Sequence, residues 1–325
     1  MATIKDVAAE CGVTVTTVSR VLNNRGYISE STRQRVYEAM EKLNYQPNEV
    51  ARSLSKKSTN TIGVIVPHIS HPYFAEMISG IEKESDKRGY KVILCNSKGR
   101  EHKEKEFIDM CRSNRVAGII LFSAGVEAQE FTDSNIPLVT IERFVEGGSA
   151  SVECDNRAGG RLAAEHLIES GCTNLVHFSG VTDSMMPADD RAIGFAEVCE
   201  ARGVHHEEVA TTIDEYNSLE YYTLIEEYLS ANKKADGIFA SSDLIAAQAL
   251  QVCNRLGRKV PNKIKIVGFD DTMISSLSTP QITTIHQPID EMAKTAVTRV
   301  LSAASGKRVR KRNVLPVYLV KRETT

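Results

Sequence analysis

The stretch from Ile4 to Leu22, which reads IKDVAAECGVTVTTVSRVL, predicts two short helices joined by a tight turn. Its apolar and small residues recur at spacings that let the two helices pack against each other. Gly12 stands where the chain must reverse, and a residue without a Cβ tolerates the positive φ that such a corner often needs. Thr14 is a candidate N-cap for the second helix, because its hydroxyl can accept a hydrogen bond from the next turn.

The face of the second helix that its apolar residues leave free suits the edges of base pairs. It carries short hydrogen-bonding or methyl-bearing side chains and one arginine, which fit a major groove. Two amphipathic helices around a glycine also occur in all-α proteins that never bind DNA, so this motif alone leaves both interpretations open. The residues predicted to contact DNA here are Thr3, Thr14, Val15, Thr16, Thr17, Ser19, Arg20 and Asn23.

A third helix and a marginal fourth one follow, and they favour the DNA-binding interpretation. The third is indicated by Ser-Glu-Ser at 29–31 and by apolar residues at helical spacing up to Leu43. Pro47 ends any preceding helix, and residues 48–54 could form one or two further turns, too few for a stable helix alone. An exposed leucine beside several cations is typical of a segment that folds on DNA, with Leu54 as a minor-groove wedge. The contacts predicted in this segment are Asn48, Ala51, Arg52 and Leu54.

Length and charge bound the architecture and the partners. The chain has 325 residues, which suits two or three packing units. Residues 1–58 contain nine Lys/Arg and six Asp/Glu, so this part carries +3, and because the whole chain carries −2 the remainder carries −5. A head of such modest charge binds phosphates weakly, so dimerisation and base contacts must supply the rest of any DNA affinity.

What the sequence lacks argues against several functional classes. Seven scattered cysteines without a C-x-x-C pair predict reduced thiols rather than a disulfide framework or a zinc site. The eight histidines form no H-x-x-x-H or H-E-x-x-H pattern, and neither G-x-G-x-x-G nor G-x-x-x-x-G-K-[ST] occurs, so we expect no metal, no cofactor and no enzyme. No apolar run approaches the roughly 20 residues of a membrane span, and no apolar signal core opens the chain. We therefore expect a cytoplasmic protein, associated with the nucleoid if it binds DNA.

After a polar joint at residues 56–60 the sequence changes to short β-branched runs that alternate with amphipathic helical stretches. Near-continuous apolar strands separated by helices predict an α/β fold with parallel sheets covered on both faces. Two such sets predict two doubly wound subdomains with a ligand cleft between them, where the carboxyl ends of the strands meet. The expected strands cover residues 62–66, 91–95, 117–122 and 137–141 in the first set, and 174–178, 237–240 and 265–269 in the second. Late strands at 282–285 and 314–320 are expected to cross between the two.

Polar and aromatic side chains follow the predicted strands and would converge on this cleft. Carboxylates, an arginine and an aromatic pair suit a sugar, because adjacent ring hydroxyls match bidentate groups and an apolar ring face stacks on aromatics. An acid directly after a strand is often only the N-cap of the next helix, so Asp243 could either cap a helix or contact the ligand. Tyr73 and Phe74 could instead form the first apolar turn of a helix. The predicted effector-binding residues are Tyr73, Phe74, Glu142, Arg191, Asp243 and Asp270.

Six sequence motifs together resemble the LacI/GalR family of bacterial transcription repressors, named after the lactose and galactose repressors. They are IKDVA at 4–8, GVTVTTVSRVLN at 12–23, LNYQPN at 43–48, VARSL at 50–54, RAIGF at 191–195 and GFDD at 268–271. The resemblance covers the whole chain, and the combination of motifs is highly specific. It implies a periplasmic-binding-protein-like core behind an all-α, helix-turn-helix DNA-binding headpiece.

In the headpiece, the resemblance implies roles for particular residues. The family reads the major groove through positions that correspond to Val15, Thr16 and Arg20. It inserts a leucine, here Leu54, at the centre of the operator. Cys11 stands where the family commonly has alanine, and because cysteine is also small and buries well, the packing of the helices is not affected.

In the core, the resemblance implies that Arg191 and the first aspartate of GFDD, Asp270, bind a small-molecule effector. Glu142 stands where relatives often have aspartate, so its side chain reaches one methylene further. A homodimer on a palindromic operator is implied, with the half-site spacing set by the twofold axis. No heptad repeat that would indicate a tetramer is visible near the last residues.

The implied organisation has three parts. Residues 1–46 are the helix-turn-helix headpiece, residues 47–59 a hinge helix and linker, and residues 60–325 the effector-binding and dimerisation core. Within the core, the expected N-subdomain covers about 60–157 and 287–317, and the expected C-subdomain about 158–286 and 318–325.

Several alternatives stay open for the effector and for the class of protein. Ribose is the first expectation and sucrose or another fructoside the second, because residues 1–5, 48–54 and 94–97 resemble ribose-type repressors. The stretch YFAE at 73–76 resembles the purine repressor, but Met185 and Pro187 stand where that repressor needs charged or hydroxyl side chains. A catabolite-control-type regulator that responds to a phosphocarrier protein is one alternative. A solute-binding protein without DNA function, which the core alone would suggest, is another.

Overall fold

The structure, a computed structural model, describes residues 2–46, 59–122, 136–145, 147–181 and 187–325. The chain divides into two compact units, Met1–Thr59 and Asn60–Thr325. The segment 47–58 lies outside the described residues, and so do the DNA contacts predicted for Asn48, Ala51, Arg52 and Leu54.

Three helices pack around a small apolar core in the first unit, so the predicted helix-turn-helix is confirmed. The helices are α1 (Ile4–Glu10), α2 (Val15–Leu22) and α3 (Glu30–Lys42). Each has a hydroxyl N-cap, Thr3, Thr14 or Ser29, that accepts a hydrogen bond from a backbone N–H of the first turn. Gly12, in the turn between α1 and α2, has a φ of 63°. Four fully buried valines fill the space between the helices: Val7, Val18, Val21 and Val36.

The second unit contains two six-stranded sheets, with strands numbered in chain order. The first sheet consists of β1 (Thr61–Val66), β2 (Lys91–Asn96), β3 (Gly118–Leu121), β4 (Leu138–Ile141), β5 (Ala150–Cys154) and β11 (Arg312–Leu315). All its strands are parallel, in the order β11-β5-β4-β3-β1-β2. The four central strands are almost entirely buried, which explains the near-continuous apolar sequences of β1, β3 and β4.

The second sheet repeats the strand order of the first. It consists of β6 (Asn174–Ser179), β7 (His205–Ala210), β8 (Gly237–Ala240), β9 (Lys265–Asp270), β10 (Thr283–His286) and β12 (Tyr318–Val320). The order is β12-β10-β9-β8-β6-β7, so β6 to β10 follow the same path as β1 to β5, and β12, antiparallel to β10, takes the place of β11. We call the parts built on the first and second sheets the first lobe and the second lobe.

Helices connect the strands of both lobes. They are α4 (Pro72–Asp86), α5 (Glu101–Ser113), α6 (Asn156–Glu169), α7 (Asp190–Arg202), α8 (Ile213–Ser218), α9 (Tyr222–Ala231), α10 (Asp243–Arg255), α11 (Met273–Leu277) and α12 (Ile289–Ala304), with a 3-10 turn at Pro187–Asp189. Helix α12 packs on β3, β4 and β5 and against α4, so it belongs to the first lobe although it follows the last parallel strand of the second. Within the described ranges, no helix is long and apolar enough to span a bilayer.

Two strands of the fold are not predicted by the sequence patterns. In β5 the polar residues Ser151 and Glu153 interrupt the apolar run, but both are buried, and the Ser151 hydroxyl donates to Glu153 Oε1 at 2.6 Å. The second such strand is β7, whose polar sequence begins with His205 and His206 and gives no strand signal. That strand is at the edge of its sheet and pairs only with β6, so its side chains need not be apolar.

The late strands differ from expectation in where the chain crosses. The strand expected at 282–285 lies wholly in the second sheet as β10, and the one expected at 314–320 is two strands, β11 and β12, with Pro316 between them. The chain therefore passes between the lobes three times: after β5, after β10 and after β11.

Helices α6 and α7 of the second lobe approach each other through two glycines. A Cβ on Gly160 would overlap the carbonyl oxygen of Arg191, and a Cβ on Gly194 would overlap the carbonyl oxygen of Arg157. Only glycine permits so close an approach of the two backbones. Because Arg191 lies in the first turn of α7, this contact determines where its side chain enters the lobe.

We expect Gly194→Ala to lower the free energy of unfolding by about 1–3 kcal/mol, the usual cost of added volume in a packed interior. The obstructing atoms are backbone atoms, which cannot rotate away. Denaturant unfolding of the full-length protein measures the change, with the exposed Glu200→Ala on the same helix as control. A Gly194→Ala variant as stable as the wild type would show that the helices can separate without cost.

Candidate functional site

The residues predicted to contact DNA fall into two groups in the headpiece. Val15, Thr16 and Arg20 are exposed on α2, as expected for residues that meet base edges. Thr3 and Thr14 are N-caps of α1 and α2, so their hydroxyls accept backbone hydrogen bonds that hold the helices. These two residues therefore contribute to the fold whether or not they also contact DNA.

The remaining predicted residues, Thr17 and Ser19 of α2 and Asn23 at its C-cap, are partly buried and hydrogen-bonded within the head. The hydroxyls of Thr14 and Thr17 lie 2.9 Å apart. The Asn23 side-chain amide donates to the Ser19 carbonyl oxygen at 2.8 Å. Among the described residues of α2, the exposed side chains that can contact DNA are therefore Val15 and Thr16 in the first turn and Arg20 one turn later.

A cavity of about 270 Å³ lies in the second unit, where the carboxyl ends of strands from both lobes meet. Five of the six predicted effector-binding residues line it: Tyr73, Phe74, Glu142, Arg191 and Asp270. Other residues on its wall include His71, Glu104, Phe122, Tyr216, Ser241 and Gln287. The structure therefore brings together side chains from distant parts of the chain, and both lobes contribute to one wall.

The guanidinium of Arg191 is the central charged group of the cavity. It is buried over the Phe269 ring, with Cζ 3.6 Å from the ring centroid. Its Nη1 donates to the Ser241 carbonyl oxygen at 2.6 Å, and its Nε donates to Asn156 Oδ1 at 2.7 Å. Among the described residues none accepts from Nη2, so this group can donate to a ligand.

Asn156 joins Arg191 of the second lobe to Glu142 of the first. Its Nδ2 donates to Glu142 Oε2 at 2.6 Å, while the backbone N–H of Cys154 donates to Oε1 at 2.7 Å. Since arginine can only donate, the amide oxygen of Asn156 must face it, and the amide nitrogen must face Glu142. Asn156 is absent from the cavity wall and acts behind it.

Two of the carboxylates that line the cavity, Glu142 and Asp270, are held in an environment that disfavours their ionised forms. Burial raises the pKa of Glu142, although the Arg191 charge and the donors from Cys154 and Asn156 oppose this. Burial also raises the pKa of Asp270 well above its usual range, again against the charge of Arg191. Glu142 has a φ of 53° and Asp270 a φ of 109°, conformations that cost energy in residues other than glycine.

Two buried polar atoms on the cavity residues have no hydrogen-bond partner within the described part of the chain: Tyr73 Oη and Gln287 Oε1. An unpaired buried hydroxyl or carbonyl costs about 1–3 kcal/mol, so natural proteins rarely keep one without reason. The amide of Gln287 meanwhile donates to Asp270 Oδ1 at 2.7 Å, which fixes the orientation of its oxygen. A ligand with both a donor and an acceptor would satisfy these atoms.

Aromatic rings form the apolar part of the wall. Phe74 packs edge-on against Phe122 at 5.8 Å and against Tyr73 at 5.2 Å. The ring of His71 lies 5.3 Å from Phe74, and its Nδ1 accepts from the backbone N–H of Tyr73 at 3.3 Å. Burial lowers the pKa of His71 to about 4, helped by the charges of His68 and Arg191, so this ring is neutral at physiological pH.

The structure places Asp243, the sixth predicted effector-binding residue, away from the cavity wall and fully buried. Its Oδ2 accepts from the backbone N–H and hydroxyl of Thr272, and its Oδ1 accepts from the Thr284 hydroxyl at 2.6 Å. It is not the N-cap of α10 either, since Ser242 has that role. Asp243 instead ties the loop after β9 and the strand β10 to the start of α10.

Several cavity residues escape the sequence analysis. Phe122 and Gln287 directly follow β3 and β10, so the strand-end rule that selects Glu142 also reaches them. Tyr216 lies on the short helix α8 in a polar stretch and has no comparable signal in the sequence.

A helix-turn-helix head and a two-lobed core with an aromatic, charged cavity define a ligand-responsive DNA-binding protein. Residues 3–48 match the family model of bacterial regulatory proteins of the lacI family, and residues 164–325 match that of the periplasmic binding protein-like domain. The chain belongs to the lacI family and is a DNA-binding transcription regulator, not an enzyme.

Repressors and transcriptional regulators are similar to this chain over most or all of its length. A ribose operon repressor of Halalkalibacterium halodurans is 37% identical, over 100% of this chain and 97% of that protein. A sucrose operon repressor of Streptococcus mutans is 36% identical, over 100% and 99%. The lac repressor dimer bound to operator and the anti-inducer ONPF has a TM-score of 0.87 at 27% identity, over 100% of this chain and 99% of that one. A periplasmic binding protein/LacI transcriptional regulator of Alkaliphilus metalliredigens, complexed with D-xylulofuranose, has a TM-score of 0.75 at 31% identity, over 82% and 99%.

We expect Asn156→Asp to destabilise the core in a pH-dependent way. The new carboxylate cannot donate to Glu142, and its charge raises the pKa of Glu142 further. An acid whose pKa is raised by folding destabilises the protein above that pKa and ceases to do so once protonated, so the deficit should shrink as pH falls. At neutral pH the expected loss is about 1.5–3 kcal/mol, the value of a hydrogen bond to a charged group.

Thermal unfolding of the variant and the wild type, from about pH 8 to about pH 5, checks this expectation. The exposed Asn262→Asp makes the same change of net charge and serves as control. A deficit that stays constant across this range, or one that the control shares, would show that Asn156 does not stabilise ionised Glu142.

Proposed function

We propose that this protein is a transcriptional repressor that binds a palindromic operator as a homodimer and changes its operator affinity when a small sugar occupies the cavity. The observation that carries the proposal is the wall of that cavity, on which an arginine and two carboxylates from different lobes face aromatic rings. The headpiece supplies the DNA contacts, through Val15, Thr16 and Arg20 of α2.

Three properties of the cavity support a sugar. Carboxylate and guanidinium groups match vicinal hydroxyls, and Phe74 and Phe122 offer apolar faces to a sugar ring. The unpaired atoms of Tyr73 and Gln287 call for a ligand that both donates and accepts. The proposed contacts are therefore those of Tyr73, Phe74, Glu142, Arg191 and Asp270, joined by Phe122 and Gln287.

The size of the cavity supports a monosaccharide over larger effectors. Its volume of about 270 Å³ lies just below the range of about 300–1,000 Å³ that is common for small-molecule sites. The relatives named as ribose operon repressors and the regulator complexed with D-xylulofuranose point to a pentose. We propose ribose as the first candidate and sucrose or another fructoside as the second. The small volume of the cavity, with Arg191 and Asp270 on its wall, favours a free small molecule over a phosphocarrier protein as the input.

Effector and operator can influence each other only if the effector binds two states of the core unequally. Arg191, Asn156 and Glu142 form a hydrogen-bonded path between the lobes, so a ligand that holds Arg191 and Glu142 favours one lobe arrangement. We propose that this arrangement alters the hinge expected at 47–59. A repressor must reach its operator, so we also propose a cytoplasmic location, with the nucleoid as its site of action.

The first test is a titration of DNA affinity with sugars. DNA selected by the full-length protein from a random duplex library is labelled, and its binding is measured by fluorescence anisotropy with D-ribose, sucrose or D-glucose. We expect ribose to change the affinity about 5- to 150-fold, the usual range of allosteric coupling. The Arg191→Ala variant should bind the same DNA without responding. A wild-type affinity that no sugar changes, or an unaltered response in Arg191→Ala, would contradict the proposal.

A second prediction concerns the unpaired hydroxyl of Tyr73. Tyr73→Phe removes a buried group without a partner among the described residues, so the ligand-free protein should be equally stable or more stable, by up to about 1–3 kcal/mol. Loss of a ligand hydrogen bond should weaken ribose binding about 2- to 12-fold, which corresponds to about 0.5–1.5 kcal/mol. Calorimetric titration and thermal unfolding measure the two effects, with the almost fully exposed Tyr27→Phe as control. Weaker stability together with unchanged ribose affinity would argue against this role.

A further inference from the structure

The segment Lys307–Arg312, which we call the basic segment, is the densest cluster of like charge in the sequence of the second unit. Five of its six residues are cationic, and all five are exposed. The rest of the chain beyond the headpiece is acidic, since residues 59–325 together carry −5. A concentrated positive patch on an otherwise negative body is the pattern expected of a surface that meets a polyanion.

The charges of the basic segment are mostly not neutralised within the protein. Arg312 pairs with Glu153 at 2.8 Å, and Lys311 donates to the Gly148 carbonyl oxygen at 2.8 Å. For Lys307, Arg308 and Arg310, no described carboxylate lies within ion-pair distance. These side chains are separated by less than the Debye length of about 8–10 Å, so their charges repel one another. Without an anionic partner, the cluster therefore does not stabilise the fold.

The backbone of the basic segment is fixed by contacts with its neighbours. The N–H of Lys307 donates to the Ser302 carbonyl oxygen of α12, and the Lys311 carbonyl oxygen accepts from the N–H of Ser151 in β5. The side-chain amide of Asn313 donates to the Arg310 carbonyl oxygen at 3.1 Å. The three unneutralised side chains thus project from an ordered turn, which lowers the entropy lost when they bind.

The position of the basic segment in the first lobe points to DNA. It precedes β11, so it lies at the amino ends of the parallel strands, the edge opposite the cavity. The chain arriving from the headpiece enters the lobe at the same edge, at Thr61 of β1. Four strand spacings of about 4.8 Å separate β1 from β11, so the two points are roughly 19 Å apart. That distance is shorter than one helical turn of DNA, which is about 34 Å.

The composition of the basic segment selects phosphates over other partners. Its one apolar residue, Val309, is half-buried, so the segment itself offers no exposed apolar anchor for a protein partner or for insertion into a membrane. Lysine and arginine without such anchors bind backbone phosphates independently of sequence. The headpiece carries a charge of only +3, so phosphate contacts outside it would add substantially to the DNA affinity.

We propose that the basic segment is a second DNA-contacting surface, in which Lys307, Arg308 and Arg310 bind backbone phosphates that flank the site read by the headpiece. This inference rests on the proposed function, because it requires that the protein be on DNA. The second surface would add affinity without adding sequence specificity, and its contribution would fall as salt concentration rises.

The test measures the salt dependence of binding to a labelled mixed-sequence DNA duplex, with the full-length protein, from about 50 to about 200 mM salt. The variant is Lys307→Gln/Arg308→Gln/Arg310→Gln. The matched control, Lys233→Gln/Lys234→Gln/Lys263→Gln, removes the same charge from exposed positions of the second lobe. A charge-preserving variant, Lys307→Arg/Arg308→Lys/Arg310→Lys, tests whether charge alone is needed. Circular dichroism confirms that each variant is folded.

We expect the slope of log affinity against log salt to fall by about 0.9 for each phosphate that the variant no longer neutralises, thus by up to about 2.7 per protomer. The charge-preserving variant and the control should keep the wild-type slope. Equal slopes for the neutralised variant and the control would overturn the inference while leaving the proposed function intact. A wild type that selects no sequence from the random duplex library would instead overturn the proposed function. Binding of the same variants to phosphatidylserine vesicles is measured in parallel. If the neutralised variant keeps the wild-type DNA slope but loses its binding to these vesicles, the inference is overturned in favour of an anionic membrane.

Discussion

The burial of the Arg191 charge is the constraint on which the core of this protein depends. A charge removed from water needs compensation, and here it comes from the Ser241 carbonyl oxygen, the Asn156 side chain and the Phe269 ring. The arginine in turn opposes the effect of burial on Glu142 and Asp270, whose pKa values are raised by loss of water. Removal of any one of these groups leaves the others with an unpaired charge or donor.

The sequence predicts this cluster well because its members obey a local rule. Glu142, Arg191 and Asp270 lie at the ends of strands or the start of a helix that follows a strand, and parallel strands bring such positions together. The same rule fails for Asp243, whose partners Thr272 and Thr284 are 29 and 41 residues away along the chain. No local pattern distinguishes a carboxylate that faces a ligand from one that accepts buried hydroxyls.

The parts of the fold that the sequence does not predict share a different cause. Strand β5 lacks an apolar sequence pattern because its buried polar residues pair with each other. Strand β7 lacks one because an edge strand has little apolar surface to bury. The prediction of one late strand instead of β11 and β12 ignores the effect of Pro316 on the ladder. In each case tertiary partners, and not periodicity, determine the conformation.

The two lobes place a carboxylate at the cavity in the same way. Strands β4 and β9 occupy equivalent places in their sheets, and each delivers a carboxylate with a positive φ to the cavity, Glu142 from one and Asp270 from the other. A positive φ therefore occurs at the carboxyl end of the equivalent strand in each lobe, although the two φ values, 53° and 109°, differ. Such conformations persist only where the surrounding structure determines them, and they are common at binding sites.

The threefold passage of the chain between the lobes makes each lobe discontinuous in sequence. If the gene were cut once within the codons for residues 60–315, neither of the two fragments would encode one lobe alone and complete. No single cut therefore separates one lobe from the other, whereas one cut at residue 59 separates the headpiece from the core, so recombination between relatives can exchange the headpiece more readily than either lobe.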